Sequence, residues 1–213
     1  MAQTHEDALR DLRWDEYPAE SDLSPVLRHA RDAIVMHGYH ATTVRDIAKR
    51  LGQTVPAIYY HYENKQALLV ALLHRSIDEL LDRCRRAQAE APPDVPAKRL
   101  EMLIRCIALY VANRREMAFL DAEIRSLEHA NREAYVHKRD QMQAMVTKVI
   151  TKGIENGEFL PGDPHAHTRA IITMLRNLAN WYRPEGHLRP NDLCEQYVTY
   201  AFRLVGCHHA PRH

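Results

Sequence analysis

Glycine and phenylalanine are scarce: 213 residues hold 7 Gly and 3 Phe. Strand-like alternation of apolar and polar residues is also rare, which disfavours sheet-rich architectures and points to an all-α chain. No run of roughly 18 apolar residues occurs, so no membrane span is expected. The N-terminus has no apolar h-region, so no secretory signal is expected and the expected compartment is the cytoplasm. The four cysteines, Cys84, Cys106, Cys194 and Cys207, share no metal or redox spacing, and free thiols in a reducing cytoplasm are the expectation. Fourteen histidines invite a search for catalysis or metal binding. Yet H-E-x-x-H, Cys-His zinc spacing and a Gly-rich phosphate loop are all missing. His165/His167 and His208/His209/His213 fit no such pattern, and Asp78/Glu79/Asp82 reads as a solvated helix face. No enzyme, cofactor or metal site is expected.

What is present is concentrated between Thr42 and Lys65, TTVRDIAKRLGQTVPAIYYHYENK. Thr43 with Asp46 makes an S/T-x-x-D capping box, so a helix starts at Val44. Val44, Ile47, Ala48 and Leu51 share one face at helical spacing. Gly52 is placed to end that helix through a left-handed residue. Thr54 caps the next helix, and Pro56 is tolerated in its first turn, where the missing N–H has no partner. That helix is short, from Val55 to about Tyr60, with Ile58 as its inward anchor. Two short helices around a tight turn form a helix-turn-helix, which sets its second helix into the DNA major groove. Thr54, Tyr59, His61 and Lys65 are all able to reach phosphate oxygens. A surface helical hairpin without a ligand is the alternative for this segment taken alone.

The flanks add to it. Ser24-Pro25 is a helix start, Val26, Leu27, Ala30, Ile34 and Val35 repeat with helical period, and Gly38 ends the run. A helix from about Asn64 to Ala91 then carries the three-helix unit on a long rod. The order MHGYHATTVRDIAKRLGQTVPAIYYHYENKQALL resembles the DNA-binding domain of TetR-type transcriptional regulators over roughly residues 25–75. Gly38, Thr42-Thr43, Ile47-Ala48, Gly52, Tyr59-Tyr60-His61, Lys65 and Leu68 carry the resemblance. It implies a homodimer with two such heads on an α-helical ligand-sensing domain. It places Thr43 and Thr54 at helix N-termini near phosphates, Val55, Pro56, Ala57 and Tyr59 at groove-facing positions, and Tyr60, His61 and Lys65 on the DNA backbone. Tyr62 stands where phenylalanine is usual. The groove-facing set is unusually apolar, so base reading is expected to lean on thymine methyls, on Gln53 or Arg45, and on DNA shape.

Charge is unevenly spread. Residues 1–24 hold two arginines against seven acidic groups, whereas residues 25–65 hold six basic groups against three acidic ones. A positive head suits phosphate binding. The acidic leader, with Leu9, Leu12 and Trp14 in one or two helical turns, is expected either to be a disordered tail or to pack through Trp14 and temper DNA affinity.

Beyond the head, Pro92-Pro93-Asp94-Val95-Pro96 breaks the rod. Helices are expected from Pro96 to Asn113, in one or two short pieces over 114–128, from Asn131 to Asn156, from Pro164 to Tyr182, and from Pro190 to about Val205. About nine helices result. The domains expected are an acidic extension at 1–24, the helix-turn-helix domain at 25–70, a ligand-binding and dimerisation domain at 71–206 and a tail at 207–213. The last two helices are apolar around most of their circumference, which implies burial on two sides and a homodimer through 164–183 and 190–206. Such a dimer would present two heads to a palindromic operator one DNA turn apart.

Met102, Met117, Met142, Met145 and Met174 fall on the helices of the larger domain and suit either an irregular apolar ligand or ordinary core packing. Arg169, Arg176 and Arg183, seven apart, read as a stripe able to meet phosphates or a carboxylate, or as a solvated face. Asn177 and Asn180 add polar reach, and with Arg176 and the methionines complete the candidate ligand pocket. Trp181-Tyr182-Arg183-Pro184-Glu185-Gly186 resembles a TetR subgroup that regulates steroid-ring and fatty-acid breakdown, several of whose members respond to CoA thioesters. The expected protein is a DNA-binding repressor relieved by an apolar or acyl-CoA-like inducer. The alternative is a ligand-binding helical dimer without DNA-binding activity.

Overall fold

A computed structural model describes residues 12–18 and 23–207. Leu9 and the histidines from His208 onward lie outside the described residues. Among the described residues the chain is helical without strands: α1 Pro25–His37, α2 Val44–Leu51, α3 Val55–Tyr59, α4 Lys65–Glu90, α5 Pro96–Asn113, α6 Arg115–Phe119, a 3-10 helix Leu120–Ser126, α7 His129–Glu155, α8 Pro164–Arg176, α9 Leu178–Trp181 and α10 Pro190–Leu204. The helix expected over 164–182 is interrupted at Asn177, whose side chain accepts from Asn180 at 3.0 Å. Asparagine side chains compete for hydrogen bonds that a helix interior would use, and so favour helix ends. Arg183 consequently falls outside the helix and donates to the carbonyls of Asn180 and Tyr182, so the expected arginine stripe is not continuous. No helix among the described residues is long and apolar enough to cross a membrane.

The residues cluster into two compact units. The first comprises the chain up to Asp78 together with Glu116–His137. Ser24 caps α1 by accepting from the Leu27 N–H, and Val26, Ala30, Ala33 and Ile34 form its buried face. α1 packs on α2, α2 on α3, and α1 on the 3-10 helix. Ile47, Ile58, Leu69, Leu72 and Leu73 are each wholly shielded from solvent. Trp14 is also buried, at 5% exposure. Beside it a single turn is closed by Glu16 N–H to Arg13 C=O; the helical turns expected from Glu6 onward fall largely outside the described residues. Within this unit the Tyr39 N–H donates to Glu123 Oε1 at 3.1 Å, and Gln66 Oε1 accepts from Glu128 N–H at 2.8 Å.

The second unit comprises Glu79–Arg115 and the chain from Lys138 onward. α5 is its centre, packing on α8, α9 and most extensively on α10. Leu100, Leu103, Ile104 and Ala108 meet Leu193, Val198 and Ala201 in a core from which solvent is excluded. α5 has no side-chain cap of its own at Val95, and the Glu158 carboxylate accepts from the Ala97 N–H at 2.9 Å instead. A carboxylate there also complements the positive end of the helix dipole. Phe159 lies against Gly153 so closely that a Cβ would stand 2.1 Å from its ring. Cys84 and Cys106 are buried with their sulfurs 3.5 Å apart. The contact with Cys106, then burial, pushes the Cys84 thiol well above its ordinary range, and burial lifts Cys194 to about 12. Both remain thiols at neutral pH.

Candidate nucleic-acid interface

The reading element is built locally. Thr43 Oγ1 accepts from the Asp46 N–H at 3.1 Å and donates to Asp46 Oδ2 at 2.6 Å, so side chain and backbone close the box together. Gly52 adopts φ 64°, and the Gln53 N–H reaches back to Ala48 C=O at 3.0 Å, the six-residue return of a left-handed helix end. Thr54 then caps α3, accepting from the Ala57 N–H at 3.3 Å, with Pro56 in the first turn. Ile58 pins α3 inward. Around that anchor Gln53, Thr54, Pro56, Ala57, Tyr59, Tyr60 and His61 are exposed, and Val55 is half-buried. Tyr60 is 85% exposed and lies edge-on to His61 with ring centres 5.0 Å apart. Arg45 and Thr43 are exposed at the start of α2. The structure therefore brings Thr43, Arg45, Gln53, Thr54, Val55, Pro56, Ala57, Tyr59, Tyr60 and His61 onto the turn and its two helices.

Lys65 is used differently. Its Nζ donates to Tyr39 C=O at 2.9 Å and Thr42 C=O at 3.0 Å, with His40 C=O at 3.4 Å, and sits 4.2 Å from the Tyr39 ring centre. An ammonium has three donors, and these carbonyls take them. The lysine thus ties the start of α4 to the turn between α1 and α2. That turn is further held by Thr42 Oγ1 donating to Gly38 C=O at 2.9 Å.

A basic cluster not singled out from sequence lies beside this element. His37, Lys49 and Arg50 surround a concavity of about 490 Å³ with Asp46 as its acid. Lys49 and Arg50 are exposed in the last turn of α2. Their signal in the sequence is only the adjacency of two basic residues.

The residues considered for the ligand pocket are scattered. Met117 is buried in the first unit. Met142 is buried and Met102 and Met174 are half-buried, while Arg176, Asn177 and Asn180 are exposed along α8 and α9. Met145 lines a cavity of about 640 Å³ in the second unit, and it alone of the set does so. Three large apolar side chains are exposed on the C-terminal helices: Trp181 at 44%, Tyr200 at 44% and Leu204 at 43%.

Comparison with known proteins matches this geometry at both ends of the chain. The family model "Bacterial regulatory proteins, tetR family" covers residues 26–72, and "Tetracyclin repressor-like, C-terminal domain" covers 93–205. The HTH-type transcriptional repressor KstR2 of Mycobacterium tuberculosis is 29% identical over 171 residues, which span 76% of this chain and 82% of that protein. The structure described as ketosteroid transcriptional regulator KstR2 of the same organism superposes with a TM-score of 0.79 at 25% identity, covering 90% of this chain and 98% of that one. AibR in complex with isovaleryl coenzyme A and operator DNA shares the fold, with a TM-score of 0.73 at 21% identity, covering 82% and 95% of the two chains.

Proposed function

Because this chain belongs to the TetR family of bacterial regulatory proteins, a family of dimeric, ligand-responsive DNA-binding regulators and not of enzymes, we propose that it is a repressor released from a palindromic operator by an apolar or acyl-CoA-like effector. Residues 25–70 are the reading head and residues 71–206 the sensing and dimerising part. The observation that carries the reading is the capped α2–turn–α3 element, with Ile58 buried and Tyr59, Tyr60 and His61 exposed around it. A short capped helix pinned by one buried anchor, with its outward face free of packing, is what major-groove entry requires. Val55, Pro56 and Ala57 offer methyl and methylene contacts to thymine, while Gln53 and Arg45 supply the hydrogen bonds. Thr43, Thr54, Tyr60 and His61 hold phosphates and set register. Lys65 acts by fixing the turn between α1 and α2, from which Thr43 and α2 start.

Trp181, Tyr200 and Leu204 support a dimer through α8 to α10, because large apolar side chains left exposed on the C-terminal helices mark an association surface. The similarity to KstR2, a repressor by its description, favours repression and a lipid- or steroid-derived effector. The effector shifts the dimer between two states by binding one more tightly, and a few kcal/mol of differential affinity suffices. The test is a mobility shift with the protein's own upstream DNA, titrated with an acyl-CoA thioester. A shift reversed by the thioester is expected. DNA binding that no thioester alters removes the acyl-CoA part of the proposal.

A further inference from the structure

The turn between α1 and α2 is held from two sides. Lys65 holds it from the start of α4, through the Tyr39 and Thr42 carbonyls. The second hold comes from the 3-10 helix Leu120–Ser126. Gly38 ends α1 at φ 80°, and the next N–H, that of Tyr39, finds its acceptor 84 positions along the chain, donating to Glu123 Oε1 at 3.1 Å. Glu123 Oε2 accepts from Ser126 Oγ at 3.0 Å, and Ser126 Oγ lies 3.3 Å from His40 Nε2. A serine hydroxyl has one proton. With that proton on Glu123, Ser126 is the acceptor in the second contact, which needs the hydrogen on His40 Nε2. The carboxylate thus holds two successive residues of the turn, one by its main chain and one through Ser126. Beside Lys65, Gln66 Oε1 accepts from Glu128 N–H at 2.8 Å and from Asn131 Nδ2 at 2.9 Å, where α7 begins. None of these side chains fills the core: Glu123, Ser126, Gln66 and Asn131 are half-buried and His40 is exposed. Their effect is directional, since a hydrogen bond fixes where a group stands.

We propose that Glu123, with Ser126 and Gln66, is a positioning residue for DNA binding. It fixes the turn from which Thr43 and α2 start, and α3 packs on α2, so it sets where the reading helix stands against the 3-10 helix and the start of α7. α7 runs on from there to Glu155, which ties the place of α3 to a helix that extends well past the head. Two heads of a dimer must meet half-sites at a fixed separation, and each base pair adds about 3.4 Å and about 35° of rotation. A loosened turn therefore loses discrimination between half-site spacings before it loses contact with either half-site. The inference rests on the DNA-binding reading above.

The experiment is a mobility-shift titration of the full chain on the palindrome in its upstream DNA, located by footprinting, and on copies with one base pair inserted or removed at the centre. Wild type should bind the native spacing about tenfold or more tightly than the altered ones. Glu123→Ala and, separately, Gln66→Ala should each bring that ratio down to about threefold or less, with the salt slope unchanged because no phosphate contact is lost. Glu123→Gln should keep the wild-type ratio. Its amide oxygen still accepts from the Tyr39 N–H, and its amide N–H₂ donates to Ser126, whose proton then turns to His40. Glutamine and alanine both remove a negative charge from the head, so a gain in affinity common to the two at every spacing measures that charge and leaves the ratio as the deciding quantity. A wild type indifferent to spacing, a ratio that neither alanine variant lowers, or a ratio that Glu123→Gln lowers equally overturns the proposal alone. A wild type that shifts no upstream DNA overturns the DNA-binding reading and the proposal with it.

Discussion

Replacing Lys65 by methionine separates two roles that a basic residue next to a DNA-reading helix can have. Methionine keeps most of the side-chain length and apolar stem but removes the ammonium. In the structure that ammonium stands 2.9 Å from Tyr39 C=O, 3.0 Å from Thr42 C=O and 4.2 Å from the Tyr39 ring centre. Hydrogen bonds to charged groups contribute about 1.5–3 kcal/mol each when shielded. Partial exposure of Lys65 pulls both toward the low end, and an exposed cation–π contact adds roughly 0.5–1 kcal/mol. A loss of about 2–4 kcal/mol follows, a large fraction of the stability of a small domain. The assay is urea unfolding of Lys65→Met beside wild type, followed by DNA affinity across a salt series. The expected result is a lower urea midpoint at unchanged m-value, with weaker DNA binding but an unaltered salt slope. A phosphate-contacting lysine gives the opposite: unchanged stability, and a slope smaller by about 0.9 per protomer. That outcome refutes the positioning role.

Three further outcomes are expected. Tyr59→Ala, at a side chain 46% exposed on α3, weakens operator binding tenfold or more and leaves the thermal midpoint within a degree or two; unimpaired affinity on a mobility shift counts against α3 as the reading helix. Tyr200→Glu with Leu204→Glu places charges on the exposed face of α10 and converts the dimer to monomer in sedimentation analysis, while a persistent dimer relocates the interface. Burial raises the Glu101 carboxyl, but hydrogen bonds from Lys98 at 2.9 Å and Arg105 at 3.0 Å outweigh it and hold the group below its ordinary 4.5. A depressed carboxyl stabilises the fold above its unfolded value and loses that contribution as pH falls through the folded one. The urea midpoint of Glu101→Gln should therefore lie below wild type at pH 7, and the gap should close as the pH drops below about 4.5; a gap independent of pH excludes the charged pair as its source.

The parts legible in the sequence are those whose causes lie within a few residues. Thr43 with Asp46, Gly52, and Thr54 before Pro56 each act over one helical turn, so the α2–turn–α3 element was readable residue by residue. The Asn177 interruption is also local, yet asparagine is tolerated in helices often enough that periodicity carried the expectation through to Tyr182. The role of Lys65 was not readable, because its acceptors are main-chain carbonyls 23 to 26 positions earlier and every residue type has a carbonyl. The cavity shows the limit most clearly. Methionine side chains signal adaptability to a ligand, but the structure gathers Gln88, Arg99, Lys148 and Lys152 from three helices around Met145 alone. Each of those four reads singly as an ordinary surface residue. What brings them together is the packing of three helices, which no single position in a sequence carries.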